Sequence, residues 1–336
     1  MVLIGPVAVL GAGSWGTALA IHLARCGREV RLWGRDAELV GQMEARRHNA
    51  VYLPGVELPR SVHLTPALES AVDGAVYVVA AVPSHGARQV LRRAADHLRP
   101  NATVVSAAKG IEDGTLLRVS EVIAQEVGDE RAVTVLSGPS FAAEVARGVP
   151  TAVAVAGRRP QAVNAVQQDF RSDRFRLYAS DDVVGVEIGG AMKNVIAIAA
   201  GGIESLGLGH NAIAALVTRG LAEMSRLAYA LGGRRDTLAG LSGLGDLVLT
   251  CTGGLSRNRQ LGIELGKGRP LDEVLDGMRM VAEGVRTTRA VLDLGARHGV
   301  ELPITAQMAE VIGGHKTPRS AVEELMLRRQ RSELDE

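Results

Sequence analysis

From Val7 to Tyr178 the chain alternates short apolar runs with stretches whose apolar residues recur at helical spacing. The runs predict strands at Val7–Leu10, Glu29–Trp33, Val76–Val82, Thr103–Ala107, Val133–Leu136, Ala152–Ala156 and Phe175–Tyr178. Between them, helices are predicted at Ser14–Cys26, Ala37–Arg47, Gly86–Leu98 and Leu116–Glu126. The strand runs are continuously apolar, the pattern of parallel strands covered on both faces. The expected fold class is therefore α/β, with an N-terminal Rossmann-like doubly wound sheet whose ligands lie beyond the carboxyl ends of its strands. After Ser180 the strand signal fades. Asp181 and Asp182 supply negative charge for a helix start, and helices are predicted at Val183–Leu206, Ala212–Leu231, Ser256–Leu265, Glu283–His298 and Thr305–Ile312. An all-α C-terminal domain is thus expected over residues 181–336, after a first domain of residues 1–180. No Pro/Gly/Ser-rich linker separates the two, so they should pack together and share a cleft.

The first strand runs directly into Gly11-x-Gly13-x-x-Gly16 and then a helix. In that order the glycines have distinct uses: Gly11 for the tight turn, Gly13 for approach of a pyrophosphate, Gly16 for close helix–strand packing. Free N–H groups at the helix start, with the helix dipole, hold phosphate. This is a dinucleotide site, and residues 1–180 are read as the dinucleotide-binding domain, with residues 181–336 as the substrate domain. The strand after it ends Trp33-Gly-Arg35-Asp36. Arg35 suits a 2′-phosphate and Asp36 a bare ribose, which favours NADP while leaving NAD possible.

Charge and cysteine usage remove other classes. Lys plus Arg number 38 against 37 Asp plus Glu, and aromatics make up only 3%, so no basic, aromatic-interleaved surface points to nucleic acid. The apolar stretches around Ala75–Val82 and Val195–Ile203 fall short of a bilayer span, and Met1–Leu10 lacks a basic n-region, so a soluble, cytoplasmic protein without stable membrane insertion is expected. Cys26 and Cys251, the two cysteines, have no metal-ligand spacing and read as buried reduced thiols.

Four segments could carry chemistry. Lys193 lies in the most apolar helix, with Gly189 and Gly190 one turn back leaving room beside the amine for a substrate or another backbone. It suits a general acid/base, since burial lowers a lysine pKa, although a lysine can also snorkel to solvent. Lys109 follows the strand Thr103–Ala107, where this fold places ligands. Leu136-Ser-Gly138-Pro-Ser140 also follows a strand; Ser140 reads as the N-cap of a short helix, its neighbouring amides as ligand donors. Asp246 stands between glycine-rich turns, and Ser256-Arg257-Asn258 starts a helix whose amides and guanidinium could grip a phosphate. Each segment taken alone also fits a capped helix or a solvated side chain. His85 and His210 have no spaced acidic partner and read as structural or surface residues.

Taken together these segments resemble the NAD(P)-dependent glycerol-3-phosphate dehydrogenases of the bacterial biosynthetic type. The resemblance rests on GAGSWGTALA, the Asn49–Gly55 stretch, AVPSH, AAKGIE, LSGPSFAAEVARGVPTAV, GGAMKNVIAIAAGGIESLGLGHNA, GLGDLVLTCTGGLSRNR and VAEGVRT, in the family's order. It implies reversible, NAD(P)H-dependent reduction of dihydroxyacetone phosphate, a small phosphorylated three-carbon substrate, to sn-glycerol 3-phosphate for glycerophospholipid synthesis. It implies Lys193 as proton acceptor, and Lys109, Gly138, Ser140, Asp246, Ser256, Arg257 and Asn258 with Lys193 around the substrate. Ser14, Trp15, Arg35, Lys109, Ala142, Arg257, Val281 and Glu283 are implied at the cofactor, beside Gly11, Gly13 and Gly16. It implies no metal, and a homodimer. A β-hydroxyacid dehydrogenase, a nucleotide-sugar oxidising enzyme using Cys251 as nucleophile, and a non-catalytic NADPH sensor are the alternative readings.

Overall fold

A computed structural model describes residues 5–278, 282–330 and 332–333. Its strands are β1 (Val7–Leu10), β2 (Val30–Trp33), β3 (His48–Asn49), β4 (Leu53–Glu57), β5 (Val62–Thr65), β6 (Tyr77–Ala80), β7 (Thr103–Ser106), β8 (Ala132–Ser137), β9 (Thr151–Gly157) and β10 (Phe175–Ser180). Eight of them form one sheet in the order β10-β9-β8-β7-β6-β1-β2-β5, and β3 and β4 form a separate antiparallel pair. All seven predicted strands are present. β5 was not predicted: its side chains run buried, exposed, then half-buried, as on an edge strand, so the continuous apolar signal is missing. β4 carries Pro54 and Gly55, which read as a turn.

The expectation of an all-parallel sheet is corrected at one seam, because β9 runs antiparallel to β8. Apolar runs do not encode strand direction. Here the chain leaving β8 forms a short helix, α6 (Ala142–Arg147), that contributes Val145 and Ala146 to the same apolar core as Leu19 and Leu23, and turns back without crossing the sheet.

The other helices of this half are α1 (Ser14–Arg25), α2 (Ala37–Arg46), α3 (Leu68–Val72), α4 (Ser84–Ala95), α5 (Val119–Val127) and α7 (Pro160–Asp169). One sheet face buries Val7, Val9, Val79 and Val105 with α1, α6 and α7; the other buries Ala8, Leu10, Val78 and Val104 with α3, α4 and α5. The predicted start of α5 at Leu116 is wrong for a backbone reason: Leu116 has φ +61° and cannot lie in a right-handed helix. Ser140 is not a helix cap either. α6 starts at Ala142 with no side-chain cap, and the Ser140 hydroxyl donates to the Gly138 carbonyl (2.9 Å).

From Val183 onward the described residues form helices: α8 (Val183–Ser205), α9 (Gly209–Ala230), α10 (Arg235–Leu238), α11 (Asp246–Thr252), α12 (Arg257–Gly266), α13 (Leu271–Gly277), α14 (Glu283–Arg297), α15 (Pro303–Ile312) and α16 (Pro318–Met326). A single π-helical turn, Leu241–Gly245, leads into α11. The Asp182 carboxylate caps α8 by accepting from Gly185 N at 2.8 Å. α8 is the axis of this half, with Ile188, Ala191, Met192 and Ile196 in its main core. By length and composition it could cross a membrane, but 83% of its apolar window is buried inside the fold.

Candidate active site

The glycine turn after β1 has the shape its sequence requires. Gly11 has φ +121°, and a Cβ there would lie 2.8 Å from the Ala81 carbonyl oxygen. A Cβ on Gly16 would collide with the Gly11 carbonyl at 1.8 Å, whereas one on Gly13 would meet nothing within 4 Å. Gly13 therefore faces open space at the start of α1, beside the backbone of Ser14 and Trp15. No side chain caps this helix start, so its first amides point outward for an anion. The buried Trp15 Nε1 has no hydrogen-bond partner among the described residues. A brace missed from sequence holds the turn: fully buried Asn49 donates from Nδ2 to the Ala12 carbonyl and to Thr17 Oγ1, both at 2.9 Å. An Asn within a polar loop gave no signal of this.

At the end of β2, Asp36 is occupied as the cap of α2, accepting from Glu38 N (3.0 Å) and Leu39 N (3.1 Å). Arg35 beside it is exposed. Together the glycine cradle, the outward amides and Arg35 fit a phosphorylated dinucleotide.

Beyond the sheet, the Asp246 carboxylate lies between two lysines. Lys193 Nζ donates to Oδ1 and Lys109 Nζ to Oδ2, each at 2.6 Å. Asp246 is 1% exposed and Lys193 7%, while 16% of the Lys109 side chain remains accessible. Lys193 also donates to Thr250 Oγ1 (2.8 Å), whose own proton goes to the Asp246 carbonyl (2.6 Å). Lys109 further donates to the Gly138 carbonyl at 3.0 Å, the acceptor also used by Ser140. Burial pushes the Lys193 ammonium down to about 8; Asp246 opposes that shift and Lys109 adds to it.

The loops around the cluster explain its register. The room expected beside Gly189 is filled by backbone, since a Cβ there would sit 2.5 Å from the Ser242 carbonyl in the π turn. One on Gly190 would meet Ser137 Oγ at 2.6 Å. Gly189 thus lets α8 touch the turn that presents Asp246, and Gly190 lets it touch the end of β8. Thr250 carries no functional signal of its own in the sequence; on α11 it stands one turn after Asp246. Gly138, at φ +146°, brings its backbone against Val153, where a Cβ would be 2.9 Å from Val153 Cα.

Ser256 caps α12 by accepting from Arg259 N (3.2 Å). Asn258 joins three helices, donating to Asn194 Oδ1 (2.9 Å) and accepting from Gly284 N (3.0 Å). Its side-chain oxygen is thus committed within the protein, and its backbone amide, at the helix start, is the group that can face an anion. Arg257 is partly buried, and desolvation lowers its pKa against the pull of Glu283. Burial raises Glu283 to about 7. Its Oε2 accepts from Ser84 Oγ at 3.3 Å, and a Cβ on Gly110 would lie 2.9 Å from it, so Glu283 faces the loops after β6 and β7. Ala142 opens α6, packed on the core shared with α1. Val281 lies outside the described residues.

Other candidates take no part in the hydrogen bonds of this cluster. His85 and His210 are exposed. Cys251 is buried, and desolvation pushes its thiol up to about 12, which keeps it protonated and makes it a poor nucleophile. Cys26 is only half-buried, not enclosed as its sequence suggests. Among the described residues no group of His, Cys, Asp and Glu could hold a metal ion.

Known proteins carry the same pattern. The family models described as the NAD-dependent glycerol-3-phosphate dehydrogenase N-terminus and C-terminus match residues 6–163 and 182–323. A glycerol-3-phosphate dehydrogenase of Koribacter versatilis is 52% identical over 332 residues, 98% of each chain. One from Geobacter sulfurreducens is 52% identical over 324 residues, covering 96% of this chain and 97% of its own. The crystal structure of a glycerol-3-phosphate dehydrogenase from Coxiella burnetii superposes with TM-score 0.93 at 41% identity, over 96% of this chain and 99% of the other.

Proposed function

Since the chain belongs to the NAD-dependent glycerol-3-phosphate dehydrogenase family, we propose that Lys193 is the proton-transfer group of its reaction and that Arg257 grips the substrate phosphate. The reaction is the NAD(P)H-dependent, reversible reduction of dihydroxyacetone phosphate to glycerol 3-phosphate. The observation that carries the assignment to Lys193 is the buried Lys193–Asp246–Lys109 cluster, in which one carboxylate orients two amines.

Bound NAD(P)H supplies the hydride to the ketone carbon. As the C–H bond forms, the carbonyl π pair moves to oxygen, where negative charge gathers. Lys109, the more accessible amine, and protonated Lys193 stabilise that charge, and Lys193 then delivers its proton to complete the alcohol. In the oxidation direction neutral Lys193 takes the same proton back. Asp246 and Thr250 fix the Lys193 amine, so little reorganisation remains at the reacting step. Arg257 and the amides opening α12 hold the phosphate, and binding energy gained there orients the ketone. Gly138 and Ser140 line the substrate side. Gly11, Gly13, Gly16, Ser14, Trp15, Arg35, Ala142 and Glu283 serve the cofactor, with Lys109 and Arg257 reaching both ligands. The exposed Arg35 beside a committed Asp36 supports NADPH over NADH.

We place the boundary between the dinucleotide and substrate domains at residues 180 and 181. The family resemblance supports a homodimer, a cytoplasmic setting and a product that supplies glycerol backbones for phospholipids.

The test is NADPH oxidation on addition of dihydroxyacetone phosphate. Lys193→Met should cut kcat by about 10²–10⁴-fold with NADPH affinity retained. Near-normal turnover would remove Lys193 from the mechanism.

A further inference from the structure

Glu187 is a buried carboxylate that this chemistry leaves unused. It lies on α8 one turn before Gly190 and is 6% exposed. Its Oε2 accepts from Arg118 Nη1 (2.7 Å) and Ser120 Oγ (2.6 Å), and its Oε1 from Ser120 N (2.8 Å). Arg118 also donates from Nη2 to Glu121 (2.7 Å), whose other oxygen accepts from the Arg118 backbone N–H (2.9 Å). Every donor to Glu187 comes from the start of α5, where the loop carrying Lys109 ends.

That loop is pinned to α8 by apolar contacts too. Ile111, 2% exposed, belongs to the core of the helical half together with Ile188 and Met192. Leu116 packs on the same core while held at φ +61°, a conformation a branched side chain adopts only at a cost. One turn along α8 from Glu187, a Cβ on Gly190 would lie 3.6 Å from Lys109 Cγ. The spacing between α8 and this loop is therefore also the spacing between Lys193 and Lys109.

A buried Arg–Glu pair returns little net stability over apolar residues of the same volume, because desolvation offsets the attraction. What such a pair does fix is geometry. We propose that Glu187 is a positioning residue: clamped by Arg118 and Ser120, it locks α8 to the Lys109 loop and so holds Lys193, Asp246 and Lys109 in register for proton transfer. The inference rests on Lys193 as the proton-transfer group. The groups facing Lys193 are Asp246, Thr250 and Cys251 of α11 and Lys109 of the loop.

In Glu187→Gln, kcat should fall tenfold or more with the Kd for NADPH unchanged, since a slightly misplaced acid/base group is costly even when the substitution is remote. The pH midpoint of glycerol 3-phosphate oxidation should also move upward, because a loosened α8 admits water to Lys193 and relaxes its repulsion by Lys109. A merely structural carboxylate would lower Tm but leave the midpoint of the folded enzyme in place. The paired variant Arg118→Met/Glu187→Met replaces the ion pair with apolar side chains, and it should fold yet show the same loss and the same upward midpoint. Wild-type kcat and midpoint in that folded double variant overturn the proposal, as does failure of both variants to fold. Lys193→Met run alongside separates the two ideas. If it keeps the pH midpoint, the Lys193 reading falls; if it loses the midpoint while both clamp variants retain wild-type behaviour, only the clamp falls.

Discussion

Arg35 and Asp36 are neighbours with different duties. From sequence they offer opposite cofactor signals; in the fold, the Asp36 carboxylate is spent on α2, which is why we propose Arg35 for the 2′ position. Arg35→Asp should lower kcat/KM for NADPH by about 10–100-fold, the worth of one or two charge-assisted hydrogen bonds, and change NADH much less. An unmoved ratio between the two cofactors would show that Arg35 does not read the phosphate. Arg257 is tested by comparing two ketones. Arg257→Ala should reduce kcat/KM for dihydroxyacetone phosphate by about 10–100-fold, while for unphosphorylated dihydroxyacetone, which never made the contact, the loss should be small. Equal losses, after correction for NADPH affinity, would return a hydroxyacid substrate to consideration. Lys193, Lys109 and Asp246 stood out in the sequence as charges in apolar or glycine-rich settings. Their mutual arrangement did not, because nothing local says that one carboxylate sits between two lysines on different elements. Asn49 and Thr250 lie in the segments that carry the resemblance, but their roles did not show for a related reason: those roles depend on partners brought to them by folding.

At the scale of elements, long periodic helices and buried strands were legible. α8, α9 and α14 bury broad apolar surfaces, and periodicity reports burial. Short pieces such as α10 and α13 present too few turns to show a period, and the π turn at Leu241–Gly245 is specified by contacts with α8. The antiparallel β9 was missed because apolar content records burial and not direction. Glycines along α8 show the difference between two uses of the same residue. Gly202 borders an apolar cavity of about 40 Å³ that also involves Pro318 of α16, and a Cβ there would meet Pro318 at an ordinary 3.6 Å. Gly202→Ala should therefore stabilise the protein by about 0.5–1 kcal/mol through helix entropy and filled space, seen as a small rise in Tm. Gly189→Ala drives a Cβ against the Ser242 carbonyl and should cost about 1–3 kcal/mol while lowering kcat through displacement of Asp246. Equal Tm values for the two variants would show that α8 does not depend on this close contact.

For the molecule as a whole, neither half contains the buried lysine–aspartate cluster by itself. The loop after β7 brings Lys109, the end of β8 brings Gly138, α8 brings Lys193 and α11 brings Asp246 and Thr250. The passage from strands to helices was readable from the change of rhythm near Ser180. The proposed proton transfer depends most on the state of the Lys193 amine. Its pKa is lowered from 10.5 to about 8, so folding disfavours the ammonium, and stability from this group should rise as pH climbs from about 8 toward 10.5. In catalysis the same shift gives opposite limbs: oxidation needs the neutral amine and should speed up through the midpoint, whereas reduction needs the ammonium and should slow. The most direct measurement is the pH dependence of kcat/KM for NADP+-linked glycerol 3-phosphate oxidation by the wild type and Lys193→Met. The wild type should rise with a midpoint near 8, and the variant should stay low and lack that limb. A variant that retains the same rise at the same midpoint would contradict the assignment of proton transfer to Lys193.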